Sequence, residues 1–171
     1  MRSSRPQAGF TLIEVMVTCA LVAVLSAIVV PMFFGESRKA RAKAEISGMF
    51  AELAMREEQY KLDNAAYLVA AACPASPSAP GQDASACVAS GQPWNTLRVI
   101  LPQTKLACSY AITVGTSAMT PAPPAPFVMT KPPGSWYYII ATCDMDGSAS
   151  VLSKYFTASN DTSLQIQNEG K

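Results

Sequence analysis

The sequence predicts an α+β protein in which a long N-terminal α-helix, membrane-spanning in its first half, packs its second half on a small antiparallel β-sheet. Three observations carry that expectation. Residues 10–30 read FTLIEVMVTCALVAVLSAIVV, an apolar run with Glu14 as its only charge. Residues 36–62 continue with helical periodicity, and three later runs are rich in β-branched and aromatic residues. Four of the five cysteines, Cys73, Cys87, Cys108 and Cys143, lie in that later part. The expected organisation is a leader at 1–9, a transmembrane and assembly half-helix at 10–35, an amphipathic half-helix at 36–62 and a β-rich head at 63–171 with two disulfides.

At about 1.5 Å rise per residue, the run from Phe10 to Val30 is long enough to cross a hydrocarbon core of roughly 30 Å. An ionised carboxylate inside that core costs roughly 2.5–3.5 kcal/mol on insertion scales, so Glu14 is expected to meet a cation in an assembled state. The leader MRSSRPQAG is short, basic and ends in glycine. A secretory signal is cut after its apolar core. A cut after Gly9 instead leaves the core attached and creates a new α-amine at Phe10, which a subunit shifted along a common axis would offer to Glu14. The alternative, a plain signal anchor with Glu14 snorkelling to the interface, accounts for neither the Gly9–Phe10 junction nor Pro31. Thr18 and Ser26 are read as hydroxyls bonded to the preceding turn, and Cys19 as a small packing residue.

The string Gly9-Phe10-Thr11-Leu12-Ile13-Glu14-Val15-Met16-Val17 resembles the processing site of type IV prepilins and type II secretion pseudopilins, a resemblance covering roughly residues 5 to 60. It implies a pilin-like fold, cleavage between Gly9 and Phe10 by a membrane peptidase, methylation of Phe10, a subunit-docking role for Glu14 and a helix kink at Pro31. It also implies a structural subunit, major or minor, of a type IV pilus-like fibre, with a type II secretion pseudopilin as the alternative. The implied partners are further copies and other pilin subunits through the N-terminal helix, the prepilin peptidase and methyltransferase, the inner-membrane assembly platform and, before assembly, membrane lipid. The implied location is the inner membrane with the head in the periplasm, followed by a surface pilus or a periplasmic pseudopilus. A reading from a different class is a membrane-anchored binding protein that never polymerises.

Bulk properties narrow the classes. Net charge is +1, and removal of Arg2 and Arg5 turns it to −1, which argues against nucleic acid as the main partner. The chain has no histidine, which excludes His-based triads and His metal ligands. There is no phosphate-cradling glycine loop and no nucleophile–base pair, so neither an enzyme nor a cofactor is expected. Arg38, Lys39, Arg41 and Lys43 after the apolar run outnumber Arg2 and Arg5 before it, and the positive-inside tendency alone would leave the head in the cytoplasm. The processing motif and the cysteines argue for the opposite orientation.

Along the chain, Pro31 lacks a donor and is expected to kink the helix between residues 30 and 35, with Gly35 a second weak point. Beyond it Ile46, Met49, Phe50, Leu53 and Tyr60 form one stripe to pack on a sheet. Glu45, Glu52, Arg56 and Glu57 are assigned to other faces, with Glu52 and Arg56 paired at i,i+4. Residues 63–92, rich in Ala, Ser, Pro and Gly, read as an extended surface loop. Four cysteines allow three pairings; Cys73–Cys87 and Cys108–Cys143 are favoured, the first closing that loop and the second joining two strands. Reduced thiols are the alternative, and the absence of C-x-x-C spacing disfavours zinc.

Trp94 to Leu97 reads as a short helical turn that plugs an aromatic beneath the sheet. Strands are expected at 106–114, 136–142 and 148–156, and Leu164 and Ile166 alternate as a final edge strand. Between the first two strands, residues 120–134 hold six prolines, which predicts a polyproline-like excursion outside any ladder. Tyr137, Tyr138 and Tyr155 are read either as exposed partner contacts or as core. Asp144 and Asp146 are weak metal candidates, resembling a fragment of a calcium loop; the plainer expectation is a hairpin turn centred on Asp146-Gly147.

Overall fold

The computed structural model describes residues 10–130, 132–147 and 150–170. It divides into two compact units, residues 1–37 and 38–171, and helix α1 (Leu12–Asn64) contributes to both. In the first unit, every side chain from Leu12 to Val30 is exposed. The two hydroxyls within this stretch are satisfied inside the helix: Thr18 donates to the Val15 carbonyl at 2.9 Å and Ser26 to the Val22 carbonyl at 2.7 Å. Such back-bonding lets a hydroxyl sit in an apolar helix without an orphan donor. The helical assignment runs through position 31 without a break, while the side chain of Pro31 lies outside the described part.

The second unit is built on a five-stranded antiparallel sheet in the order β1 (Ala70–Cys73), β4 (Cys108–Gly115), β5 (Trp136–Cys143), β6 (Ser153–Ala158), β7 (Asp161–Gln167). A two-stranded ribbon, β2 (Gln82–Asp83) with β3 (Lys105–Leu106), stands beside it. Period-two alternation divides the side chains of the central strands between two faces. One face carries Cys108, Tyr110, Ile112, Tyr137, Ile139, Ala141, Cys143 and Tyr155, and against it α1 buries Ala42, Ile46, Met49, Phe50 and Leu53. Short helix α2 (Pro93–Thr96) drives Trp94 into the same core, its ring 6.4 Å from that of Tyr110.

The other face carries Trp136, Tyr138, Ile140, Phe156 and Ala158 and has its own small core. The proline-rich stretch is what covers it. Phe127 stacks on Phe156 with ring centroids 5.2 Å apart, and Met119 and Met129 pack alongside. Val128 is tied to the Gln165 side chain through both its N–H and its carbonyl, and Asn160 donates to the Thr130 carbonyl. The prolines keep this segment out of the ladder as expected, yet it is a cover rather than an excursion. Tyr138 is buried under this cover, and Tyr137 and Tyr155 are buried on the helix side, which removes all three as exposed contacts.

Three further expectations change. The surface loop at 63–92 contributes the edge strand β1, the ribbon strand β2 and a 3-10 turn at Ser85–Val88. The strand expected from Ser148 begins only at Ser153, and Cys143 pairs with Ser153, so β5 and β6 are joined by residues 144–152. A two-residue turn centred on Asp146-Gly147 therefore does not form, although Gly147 does take the left-handed φ of +74°. Cys73–Cys87 and Cys108–Cys143 are the disulfides, with Cα separations of 5.8 and 4.3 Å. The second links directly opposed residues of β4 and β5. Each restricts the unfolded chain by an amount worth about 2–4 kcal/mol.

Gly115, the last residue of β4, is opposite Trp136, and the indole lies where a side chain would be: a Cβ there would come within 2.2 Å of Trp136 Cζ2. The indole N–H donates to the Thr116 carbonyl, which holds the ring in place. Gly115→Ala is expected to destabilise the head by about 1–3 kcal/mol through overpacking. Gly134→Ala, where no atom lies within 4 Å of the added carbon, should shift the urea midpoint little. Equal midpoints for the two variants would show that Trp136 moves aside freely.

Candidate functional site

The residues that bear on function all lie on α1 or are held by it. Phe10 and Thr11 are exposed, and α1 starts at Leu12. The Thr11 side-chain oxygen accepts from the Glu14 N–H at 3.3 Å, and Glu14 Oε2 accepts from the Thr11 N–H at 3.4 Å. This reciprocal pair is a capping box, which satisfies donors that the first helical turn leaves free. The T-x-x-E spacing announces it, a signal absent from the reading of Glu14 as a docking residue alone. Gly9 lies outside the described residues. The span Leu12–Val30 is long and apolar enough to cross a membrane.

Further along, three glutamates of α1 collect backbone donors from the start of β4 and from the connecting segments. Glu45 Oε1 accepts from the Cys108 N–H at 3.0 Å and the Tyr110 hydroxyl at 2.9 Å, and its Oε2 from the Ala107 N–H at 2.9 Å and the Gln103 amide at 3.1 Å. Burial, followed by the charge and hydrogen bond of Glu45, pushes the Tyr110 hydroxyl far above its ordinary pKa. Glu52 Oε1 accepts from the Ile100 N–H at 2.9 Å and from Arg56 Nε at 2.8 Å, the expected i,i+4 pair. Glu57 Oε2 accepts from the Leu68 N–H at 2.9 Å.

Glu57 corrects its assignment to a face other than the apolar stripe. It is fully buried, because position 57 follows Leu53 by four residues and so lies on the apolar stripe. Desolvation, opposed by the Leu68 hydrogen bond and reinforced by the charge of Glu58, raises its pKa to about 7. Tyr67 meets Tyr137 edge-on at 4.8 Å, and its hydroxyl donates to Glu58 at 2.8 Å and accepts from Lys61 at 2.9 Å.

The weak metal candidates do not assemble. Asp144 Oδ1 accepts from the Gly147 N–H at 2.7 Å, a local turn, and among the described residues no three His, Cys, Asp or Glu side chains come together. Of the basic cluster, Lys43 pairs with Glu169 at 2.6 Å.

Comparison with known proteins bears on the N-terminal part. Residues 4–30 match the prokaryotic N-terminal methylation motif. The chain is 40% identical over 67 residues to the type II secretion system core protein G of Escherichia coli (strain K12), covering 39% of this chain and 46% of that protein. It is 39% identical over 67 residues to the protein of the same name from Vibrio cholerae, covering 39% and 45%, and 44% identical over 66 residues to that from Pseudomonas aeruginosa, covering 37% and 44%. The match thus spans less than half the length of these curated relatives. No solved structure matches the chain. The methylation motif and these relatives support a place in the prepilin and pseudopilin family, and the long apolar helix followed by a small antiparallel sheet is consistent with a pilin-like fold.

Removing the Glu45 carboxylate orphans the Ala107 and Cys108 N–H groups at the entry to β4. Glu45→Ala is expected to destabilise the head by about 2–3 kcal/mol, given the strength of bonds to charged acceptors and the cost of unpaired donors. Glu45→Gln should recover only part of this, since its NH2 end would face donors. Unfolding of both variants at pH 7 checks the order, and a wild-type midpoint for Glu45→Gln would remove the carboxylate from the account.

Proposed function

We propose that the chain is a structural subunit of a helix-packed fibre, processed between Gly9 and Phe10, and that the fibre is the pseudopilus of a type II secretion system. The observation that carries this reading is the string from Gly9 to Val17 inside the matched methylation motif, with Glu14 as the sole charge of the apolar run 10–30. A pilus-like surface fibre, with this chain as major or minor subunit, is the second reading. The shared name of the relatives, type II secretion system core protein G, favours the pseudopilus.

In this reading the unprocessed chain sits in the inner membrane by residues 10–30, with the disulfide-bonded head in the oxidising periplasm. A membrane peptidase cuts after Gly9 and the new Phe10 amine is methylated. Subunits then leave the bilayer by packing helix against helix on the assembly platform, with Pro31 supplying a bend. Exposed apolar side chains from Leu12 to Val30 supply the surface to be covered. Once a subunit leaves lipid, burial of that surface is worth roughly 25 cal/mol per Å² kept from water.

Glu14 sets the register. Its bond to the Thr11 N–H, at 3.4 Å, is at the long end of hydrogen-bond range, so the carboxylate can exchange it for a neighbour's Phe10 amine. The pair adds little net stability when buried, but losing one partner leaves an orphan charge that costs about 3–5 kcal/mol. The role is structural, and no chemistry is assigned to the head.

Glu14→Ala is expected to be made and to lose its leader, yet to be absent from sheared or purified fibres; fibres that contain the variant at wild-type level would overturn the docking role. Intact mass and N-terminal sequencing of protein from native membranes should give Phe10 as the first residue, carrying one methyl group. Retention of residues 1–9 would end the fibre reading. Deleting the gene should block secretion and leave surface pili in place, whereas lost pili with intact secretion favours the second reading.

A further inference from the structure

We propose that Glu57 is a proton-operated latch that fastens residues 65–69, the link between α1 and edge strand β1, to the helix. The inference is independent of fibre assembly. It starts from an imbalance in hydrogen bonding. Glu57 has no exposed surface, its Oε2 accepts from the Leu68 N–H, and its Oε1 has no hydrogen-bond partner among the described residues. A buried carboxylate oxygen without a donor is costly when the group is ionised. A proton removes the charge and leaves the other oxygen free to accept from Leu68.

The groups that face it do not neutralise it. On α1 the next residue, Glu58, adds like charge. From the link and from β5 come Tyr67 and Tyr137, whose hydroxyls are pushed upward first by burial, then by Glu58, with the Glu57 charge the last contributor. Lys61, the cation of this corner, is engaged with the Tyr67 hydroxyl at 2.9 Å and lies 4.4 Å from the centre of that ring. The link is also held by Tyr67, through its contacts with Tyr137, Glu58 and Lys61, and by Leu68 packing on the core. Ala65 closes the helix in the left-handed conformation with φ of +58°, and Val69 is exposed.

The direction follows from linkage. Burial raises the Glu57 pKa in the closed state from an ordinary 4.5 to about 7. Closure therefore takes up a proton between these values, is strongest below pH 4.5 and weakens as pH rises through 7. Above pH 7 the link opens most, and Leu68 is the amide that reports it.

The test is amide hydrogen exchange of the full chain in detergent micelles, as protection factors at Leu68 against Ile139 of β5. Wild-type protection at Leu68 relative to Ile139 is expected to fall by about thirtyfold from pH 5.5 to pH 8.5, the ratio that these two pKa values set. In Glu57→Gln the fall should disappear. A flat wild-type profile, or the same fall in Glu57→Gln, overturns the latch. Titration of the wild-type Glu57 carboxyl carbon decides the matter without any variant: a midpoint near 7 supports it, and one near 4.5 refutes it.

Discussion

The head depends on a carboxylate meeting a backbone N–H. A helix packed on a sheet leaves the chain between them with donors that no ladder satisfies, and buried donors must find acceptors. Here the helix supplies them itself. Glu45, Glu52 and Glu57 accept from Ala107 and Cys108, from Ile100, and from Leu68, three separate segments of the head. An ionised acceptor makes a stronger bond than a neutral one, so few contacts position much irregular chain. The three differ in what completes them. Glu45 has four donors and Glu52 has an arginine, whereas Glu57 has one donor and full burial, and burial raises its pKa to about 7.

The sheet imposes a second constraint. Its strands are apolar on both faces, with Tyr110, Ile112 and Ile139 on one side and Trp136, Tyr138 and Phe156 on the other. One helix covers one face only. Antiparallel sheets commonly leave the second face to water and keep it polar; this one keeps it aromatic and covers it with the proline-rich segment. Proline suits that task, because a segment without ladder donors cannot extend the sheet and its backbone is already restricted. Gly115 is part of the same solution, since the Trp136 indole occupies the space a side chain would take.

How much of this was legible depended on whether the signal was local. The stripe Ile46, Met49, Phe50, Leu53 and the runs that became β4 and β5 follow from periodicity, and their limits differ from expectation by a residue or two. β1 was not legible: three alanines and a cysteine have no strand preference, and they form a strand because β4 offers an edge. β6 begins later than its propensity suggested, at Ser153, and the preceding connection holds a local bond from the Gly147 N–H to Asp144 that propensity does not register. Glu57 shows polarity misleading where spacing did not, since its position on the stripe could be counted and its charge argued it away. At the N-terminus the signal was local and complete, since T-x-x-E at Thr11 and Glu14 spells the capping box that forms there.

That last residue joins the two halves of the account. A glutamate near the start of an apolar helix is tolerable to a single chain only if the first turn's free donors hold it, and Thr11 arranges this. The favourable field of the helix N-terminus adds to the effect. In the proposed bundle the carboxylate is shared between the Thr11 N–H and an arriving amine, and a full positive charge at an amine outweighs a long bond to a neutral amide. In the proposed fibre, capping and docking are successive uses of the Glu14 carboxylate, whose bond to the Thr11 N–H is 3.4 Å long, in contrast to Glu45 with its full set of donors.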